Sequence, residues 1–395
     1  MRLERGAPIG VIGAGAMGSG IAQVASTYGH PVVIVDANAQ AVERAAAQFG
    51  RAIQREVEKK RLDAAAAAAT VARVHWHHGV SASGLDVLAG CALVVEAVVE
   101  NLEVKRELFA SVERVVGADC VLATNTSSLA VAAIAAACTQ PERVLGAHFF
   151  NPAPVMPLVE IIPWLGTAPE VTTQTRALVD GWRKTTVLAT DTPGFIVNRI
   201  ARPFYSEGLR MHDEGIADPA TIDWAMRELG GFRMGPFELM DLIGHDVNFA
   251  VTRSVFEALF YDPRYKPSIT QQRLVDAGML GRKTGRGFYD YREGATRPQA
   301  TEDPTLGAQI VERILVMLIN EAIDAVLWRI ASPADIDLAV TKGVNYPKGL
   351  LAWGDDLGLD HVLFTLAALE EEYGEDRYRP SALLKRMVRE GRRFT

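Results

Sequence analysis

At 395 residues the chain exceeds what one compact core organises and is long enough for two or three domains. It is 49% apolar and 23% charged, with a net charge of -7, which excludes a disordered chain and a general affinity for nucleic-acid phosphates. Any anionic ligand then depends on a local basic patch. Cys91, Cys120 and Cys138 have no metal-ligand spacing and form no even-numbered disulfide framework, so no metal is expected, and a reducing cytoplasm is. The N-terminus, MRLERGAPIGVIGAGAMG, passes at once into a strand and a glycine-rich turn, leaving no room for an export signal. The longest apolar runs fall short of the roughly 20 residues of a membrane span, so no membrane partner is expected.

From residue 8 to about residue 190 the apolar runs PIGVI, PVVIVD, CALVVEAV, CVLAT, RVLGAHFF, PLVEII and TTVLA alternate with helical patterns, which predicts a mostly parallel sheet covered by helices. The first run leads into GAGAMG, which has the G-x-G-x-x-G pattern between a strand and a helix, where its mechanism needs it. Gly13 permits the tight turn, Gly15 lets the backbone approach a pyrophosphate, and Gly18 allows helix and strand to pack closely; Ala16 and Met17 open the helix whose N-terminal amides face the phosphates. Asp36 ends the second run roughly 20 residues beyond Gly13, where an acid accepts hydrogen bonds from ribose hydroxyls and repels a 2′-phosphate. NAD is therefore expected over NADP, with Asn38 and Arg44 nearby as the residues that could change the choice; FAD shares the fingerprint. These features define a Rossmann-type α/β domain over residues 1–190.

Residues 39–70 read as a helical excursion, since the alanine run Ala64 to Ala69 is a strong helix former. At helical spacing Arg44, Arg51, Arg55 and Lys59 share one face of it, suited either to phosphates or to plain solvation. After CVLAT come Asn125, Thr126, Ser127 and Ser128, which can hydrogen-bond a substrate oxygen or cap a helix. The strand RVLGAH ends at His148, and the next, LVEII, carries Glu160; a hairpin-like return can join the two. A neutral histidine can take a hydroxyl proton while hydride leaves for a nicotinamide, and a carboxylate on its other nitrogen fixes the tautomer. On spacing alone such a pair is more often structural than catalytic.

From Asp191 amphipathic helical patterns dominate. The turn Asp191–Thr192–Pro193 is expected to start the first helix of an all-α region, with threonine or aspartate as cap and proline at an early position. GIADPATIDWAM (215–226) resembles RIASPADIDLAV (329–340), and in the same unbroken register Glu207 meets Glu321, Gly235 Gly349, Asp241 Asp355, Gly244 Gly358 and Asp246 Asp360. Two helical domains from an internal duplication are expected, at 191–292 and 306–395, joined by the polar stretch EGATRPQATEDPT (293–305).

GAGAMG, EAVVENLEVKRELF (96–109), TNTSSL (124–129), HFFNPAPVMPLVE (148–160), DTPGFIVNR (191–199), MGPFELMDLIG (234–244) and GRKTGRGFYDY (281–291) together resemble the 3-hydroxyacyl-CoA dehydrogenase family, in order from about residue 8 to 291. The duplicated tail resembles its members with two C-terminal domains. The resemblance implies reversible NAD-dependent oxidation of an (S)-3-hydroxyacyl-CoA thioester, short-chain (3-hydroxybutyryl-CoA) or dicarboxyl (3-hydroxyadipyl-CoA), in β-oxidation or in aromatic-acid degradation such as that of phenylacetate. It makes His148 the base and Glu160 its partner, has Ser127 and Asn198 hydrogen-bond the reacting oxygen, sets Asn151 beside the nicotinamide, and counts Asn125 and Ser127 among the residues that bind the cofactor. Ala97, Val98, Glu100 and Lys105 are placed along the cofactor, and Arg51, Arg55 and Lys59 become candidates for the coenzyme A phosphates. The expected site is a cleft between the sheet domain and the first helical domain. Single-tail members dimerise through the helical domain, so the second copy can imitate that contact by an internal pseudo-twofold, with or without a homodimer. The rivals are a dehydrogenase of free hydroxy acids, of the gulonate-oxidising kind, and a crystallin-like non-catalytic role.

Overall fold

The computed structural model describes residues 3–79 and 82–394, in two compact units that meet between Thr192 and Pro193. The first is built on eight strands: β1 (Ile9–Ile12), β2 (Val32–Asp36), β3 (Val74–His78), β4 (Leu93–Glu96), β5 (Val121–Thr124), β6 (Val144–Phe149), β7 (Leu158–Ile162) and β8 (Thr185–Leu188). They pair in the order β3-β2-β1-β4-β5-β6-β7-β8. Every pairing is parallel except β6 with β7. Strands β1, β4, β5, β6 and β7 are buried along their whole length, which explains their unbroken apolar runs: a parallel sheet covered on both faces has no polar side to alternate with.

Helices α1 (Ala16–Thr27), α2 (Ala39–Glu58), α3 (Ala64–Ala72), the one-turn α4 (Ala82–Leu85), α5 (Leu102–Glu113), α6 (Val131–Ala135) and α7 (Pro169–Gly181) belong to this unit. The excursion is the hairpin of α2 and α3, capped by the side chains of Asn38 and Asp63. On α2 a stripe of Val42, Ala45, Phe49 and Ile53 is buried, leaving Arg44, Arg51, Arg55 and Lys59 exposed on the other side. Strand β3, VHWHH, has no counterpart among the predicted runs. It sits at the sheet edge, where three histidines are tolerated because one face is wet and only β2 pairs with it.

The turn at Asp191 also differs from expectation. Its carboxylate caps not the helix that follows but α6, accepting from the amides of Val131 (2.9 Å) and Ala132 (2.8 Å). Residues 191–196 form a turn with Phe195 at φ 45°, and the first helix of the second unit starts at Val197.

That unit is helical: α8 (Val197–Ile200), α9 (Arg202–Asp213), α10 (Pro219–Trp224) continued by a π-turn over Ala225–Leu229, α11 (Pro236–Ile243), α12 (His245–Ala258) and α13 (Ile269–Asp276), then α14 (Pro304–Leu327), α15 (Pro333–Gly343), α16 (Leu350–Leu357), α17 (Leu359–Tyr373) and α18 (Ala382–Glu390). Its two halves repeat at the level of single hydrogen bonds. Asp223 accepts from the amides of Phe237 and Glu238, both at 2.9 Å, and Asp337 from those of Leu351 (2.8 Å) and Ala352 (3.1 Å). Gly235 and Gly349 lie against these two aspartates, where an added Cβ would come within 2.2 and 2.3 Å of an aspartate atom. The halves also exchange partners. Buried Glu207 of the first accepts from Arg313 (3.1 Å), Arg377 (3.0 Å) and Tyr378 (3.0 Å) of the second. Buried Glu321 of the second accepts from Arg264 (3.1 Å) and Tyr265 of the first. Arg264–Tyr265 and Arg377–Tyr378 open the repeated segments RYKPS and RYRPS, so the exchange is reciprocal, as a local two-fold requires. Among the described residues no helix is long and apolar enough to cross a membrane.

Candidate active site

The sheet order reverses between β1 and β4, so their carboxyl ends leave a crevice where α/β sheets bind ligands. Gly13 leaves β1 at φ 106°, and a Cβ there would lie 2.5 Å from the Ala97 carbonyl oxygen beyond β4. A Cβ on Gly18 would lie 1.8 Å from the Gly13 oxygen. Gly15 is the N-cap of α1 and has nothing within 4 Å of its missing Cβ. The first two positions are therefore closed by backbone and the third is open to a ligand, over the free amides of a helix begun by Ala16 and Met17.

Asp36, at the end of β2, accepts from Ala14 N (2.8 Å) and from Asn38 N (2.9 Å), one amide on each oxygen. This fixes the carboxylate and leaves a further lone pair on each oxygen for ribose hydroxyls. A pocket of about 530 Å³ is lined by Ile12, Gly13, Gly15, Asp36, Ala97 and Val98 among others. An open glycine over a helix N-terminus and a fixed acid beyond the second strand are what a dinucleotide needs, and the residues fit NAD.

On β6 and β7, His148 and Glu160 are direct cross-strand partners, and His148 Nδ1 lies 2.6 Å from Glu160 Oε2. The histidine is 6% exposed and the glutamate 0%. The antiparallel return is what sets two residues a dozen positions apart side by side on one face. A carboxylate at Nδ1 accepts, so Nδ1 carries the hydrogen and the basic lone pair belongs to Nε2. The Phe150 ring lies 4.5 Å from the imidazole, and the next peptide, Asn151–Pro152, is cis, with Asn151 exposed just beyond the strand end.

Asn125, after β5, accepts from the amide of Phe149 at 2.8 Å and so joins the ends of β5 and β6. Thr126, Ser127 and Ser128 are gathered by Glu100: its Oε1 accepts from Thr126 Oγ1 (2.7 Å), Ser127 N (2.9 Å), Ser128 Oγ (2.9 Å) and Ser128 N (3.1 Å). Desolvation pushes the Glu100 carboxyl up, but the Lys105 ammonium and these donors outweigh it and hold the group below the usual carboxylate range. Lys105, on α5, is 1% exposed, with its ammonium 2.6 Å from Glu96 and 3.3 Å from Glu100.

Arg51, Arg55 and Lys59 stay on the exposed side of α2 and do not line the nucleotide pocket; Lys59 faces Glu56 at 3.9 Å. Asn198 is the second residue of α8. In the repeat register its position is taken by Glu312, which is bonded to His361 at 2.6 Å, so the second copy does not carry the amide. Glu96 was not singled out in the sequence, although a charge closing the otherwise apolar run ALVVEAV is a signal that a buried partner waits for it.

Sheet, glycine turn and acid define a dinucleotide-binding protein of the Rossmann class. The family model for the 3-hydroxyacyl-CoA dehydrogenase NAD binding domain matches residues 8–192, and the model for the C-terminal domain of that family matches twice, at 194–291 and 309–393. The chain is 39% identical to 3-hydroxyadipyl-CoA dehydrogenase of Escherichia coli (strain K12), over 95% of this chain and 96% of the relative. It is 39% identical to 3-hydroxybutyryl-CoA dehydrogenase of Bradyrhizobium diazoefficiens, over 72% of this chain and 95% of that one. The crystal structure of 3-hydroxybutyryl-CoA dehydrogenase from Escherichia coli K12 superposes with a TM-score of 0.89 at 38% identity, covering 97% of this chain and 98% of the other. The chain belongs to the 3-hydroxyacyl-CoA dehydrogenase family and is an NAD-dependent oxidoreductase.

Proposed function

We propose that the protein reversibly oxidises an (S)-3-hydroxyacyl-CoA to the 3-ketoacyl-CoA, with His148 as general base and a short-chain or dicarboxyl acyl group as its substrate. The observation that carries this reading is the buried 2.6 Å pair of His148 Nδ1 and Glu160 at the sheet end. NAD, when bound, supplies the hydride acceptor. His148 Nε2 takes the proton of the 3-hydroxyl as the C–H bond gives up its hydride. Glu160 holds the imidazole in the tautomer that makes Nε2 basic and stabilises the imidazolium that results. In the reverse direction the same nitrogen returns the proton to the carbonyl oxygen. Ser127 is proposed to hydrogen-bond that oxygen, and Arg51, Arg55 and Lys59 remain the candidates for the coenzyme A phosphates. The names of the relatives support the acyl classes, 3-hydroxybutyryl and 3-hydroxyadipyl. Three buried thiols without a disulfide support a reducing compartment such as the cytoplasm.

The test is His148→Gln followed by NADH absorbance with acetoacetyl-CoA. Loss of roughly 10²-fold or more in kcat, with NAD binding unchanged by calorimetry, is expected from removal of a general base; turnover near that of the parent would sink the assignment. A panel of 3-ketoacyl-CoA thioesters, a carboxylated adipyl form and a free hydroxy acid then identifies the acyl class.

A further inference from the structure

The wall of the nucleotide pocket and the Ser127 turn are held by a residue that itself lies behind the pocket lining. Glu96 is the last residue of β4 and is 1% exposed. Its Oε1 accepts from the amide of Val98 at 2.7 Å and from the Lys105 ammonium at 2.6 Å. Its Oε2 accepts from Thr124 Oγ1 at 2.7 Å, at the end of β5. The Glu96 backbone oxygen takes the amide of Asn125 at 2.8 Å. One buried carboxylate thus ties together the turn after β4, helix α5 and the end of β5.

We propose that Glu96 is a positioning residue that, through Lys105, sets Glu100 under residues 126–128 and so holds the Ser127 turn beside the nucleotide wall. The chain of contact is short. Lys105 is buried to 1% and bridges Glu96 at 2.6 Å and Glu100 at 3.3 Å. Glu100 gathers two amides and three hydroxyls of Thr126, Ser127 and Ser128 on one oxygen. Without Lys105, Glu96 and Glu100 would face each other as like charges with no cation between them, and the inner one would be buried. Without Glu96, the ammonium keeps Glu100 alone and loses the anchor that fixes where it stands. Simple packing would not need this arrangement, since an apolar side chain at either position fills a core more cheaply than a buried ion pair. What the pair supplies is a fixed direction for the Glu100 carboxylate.

The part of this inference that concerns turnover rests on the reading of Ser127 as a substrate contact, so the test separates the two. Amide hydrogen exchange is followed over residues 124–131 in the protein without cofactor or substrate, for Glu96→Gln, Lys105→Met and the double variant, beside kcat and KM. Glu96→Gln is expected to raise exchange at Ser127 and Ser128 about tenfold, and to lower kcat by a similar factor with KM for the thioester little changed. Lys105→Met alone strands a buried carboxylate and is expected to melt early; adding Glu96→Gln removes that carboxylate and restores thermal stability, but not slow exchange or turnover. That split is what a purely structural ion pair cannot give, because there loop order would recover with stability. Unchanged exchange at 127 and 128 in folded Glu96→Gln overturns the inference. Faster exchange with full kcat leaves the Glu96 contact standing and overturns the role given to Ser127.

Discussion

Asp36 shows how much a single acid settles. Each of its oxygens is oriented by one backbone amide, Ala14 and Asn38, so the carboxylate is rigid before any ligand arrives. Asp36→Asn keeps the shape but turns one amide donor towards an amino group. NAD affinity is expected to fall by about 1–3 kcal/mol, on the order of 10- to 100-fold in Kd by calorimetry, with the fold intact; an unchanged Kd would remove the acid from the cofactor site. Asp223, by contrast, is set by its surroundings. Burial raises its carboxyl to about 7, against the pull of hydrogen bonds from Tyr289 and the Phe237 amide. A carboxyl raised in the folded state favours folding while it is protonated, so this contribution is present in acid and is lost as pH rises from the ordinary carboxylate range through about 7. Thermal melts at pH 5 and pH 8 are expected to show the second unit weaker at pH 8. In Asp223→Asn that difference shrinks, although stability is lower throughout because one of the two amides then meets an NH₂ group.

At the scale of elements, what could be read from the sequence was whatever obeys a local rule. The buried parallel strands are continuous apolar runs, α2 shows its stripe, and GAGAMG lies between a strand and a helix. Strand β3 escaped because VHWHH carries neither alternation nor an apolar run; only its pairing with β2 makes it a strand. The cap at Asp191 escaped for the opposite reason, since a local rule pointed to the next helix while the carboxylate reaches back some 60 positions to α6. The Glu96–Lys105–Glu100 cluster was partly visible: all three lie in EAVVENLEVKRELF, but only Glu100 and Lys105 were given a role, because nothing local says that the acid ending a strand is the buried anchor of the other two. Gly18 tests the strictest of the local rules. Its added Cβ would meet the Gly13 oxygen at 1.8 Å, so Gly18→Ala must push α1 off β1. The variant is expected to lose several degrees of melting temperature and measurable NAD binding. A parent-like melt and Kd would mean that the turn relaxes freely.

At the scale of the molecule, the duplication makes the second unit one cooperative body, because each copy completes the other's charges. Glu207 is fully buried with two arginines and a tyrosine from the other copy. Removing one side of such a group leaves uncompensated buried charge, at a cost of about 3–5 kcal/mol. Glu207→Gln is therefore expected to lower the unfolding free energy of the whole second unit in a single denaturant transition. Two separate transitions, one per copy, would refute the cooperative view. The repeat itself was legible because its register is unbroken through 215–226 and 329–340. The exchanged partners were not, since no pattern in a chain says that Arg377 answers Glu207 and not Glu321.

The antiparallel turn-back of β7 carries a last implication, for change over time. The distance between His148 and Glu160 is set by the ladder of β6 and β7, rung opposite rung, and not by the segment 150–157 that links them. That segment can therefore lengthen or shorten without changing the spacing of the pair, provided that the strands keep their register, although Phe150, whose ring lies 4.5 Å from the imidazole, stays tied to it. The spacing of the pair and the length of the link are inherited separately. A lineage can vary that length while the pair keeps its rungs, and a laboratory library of lengths in the linking segment has the same freedom.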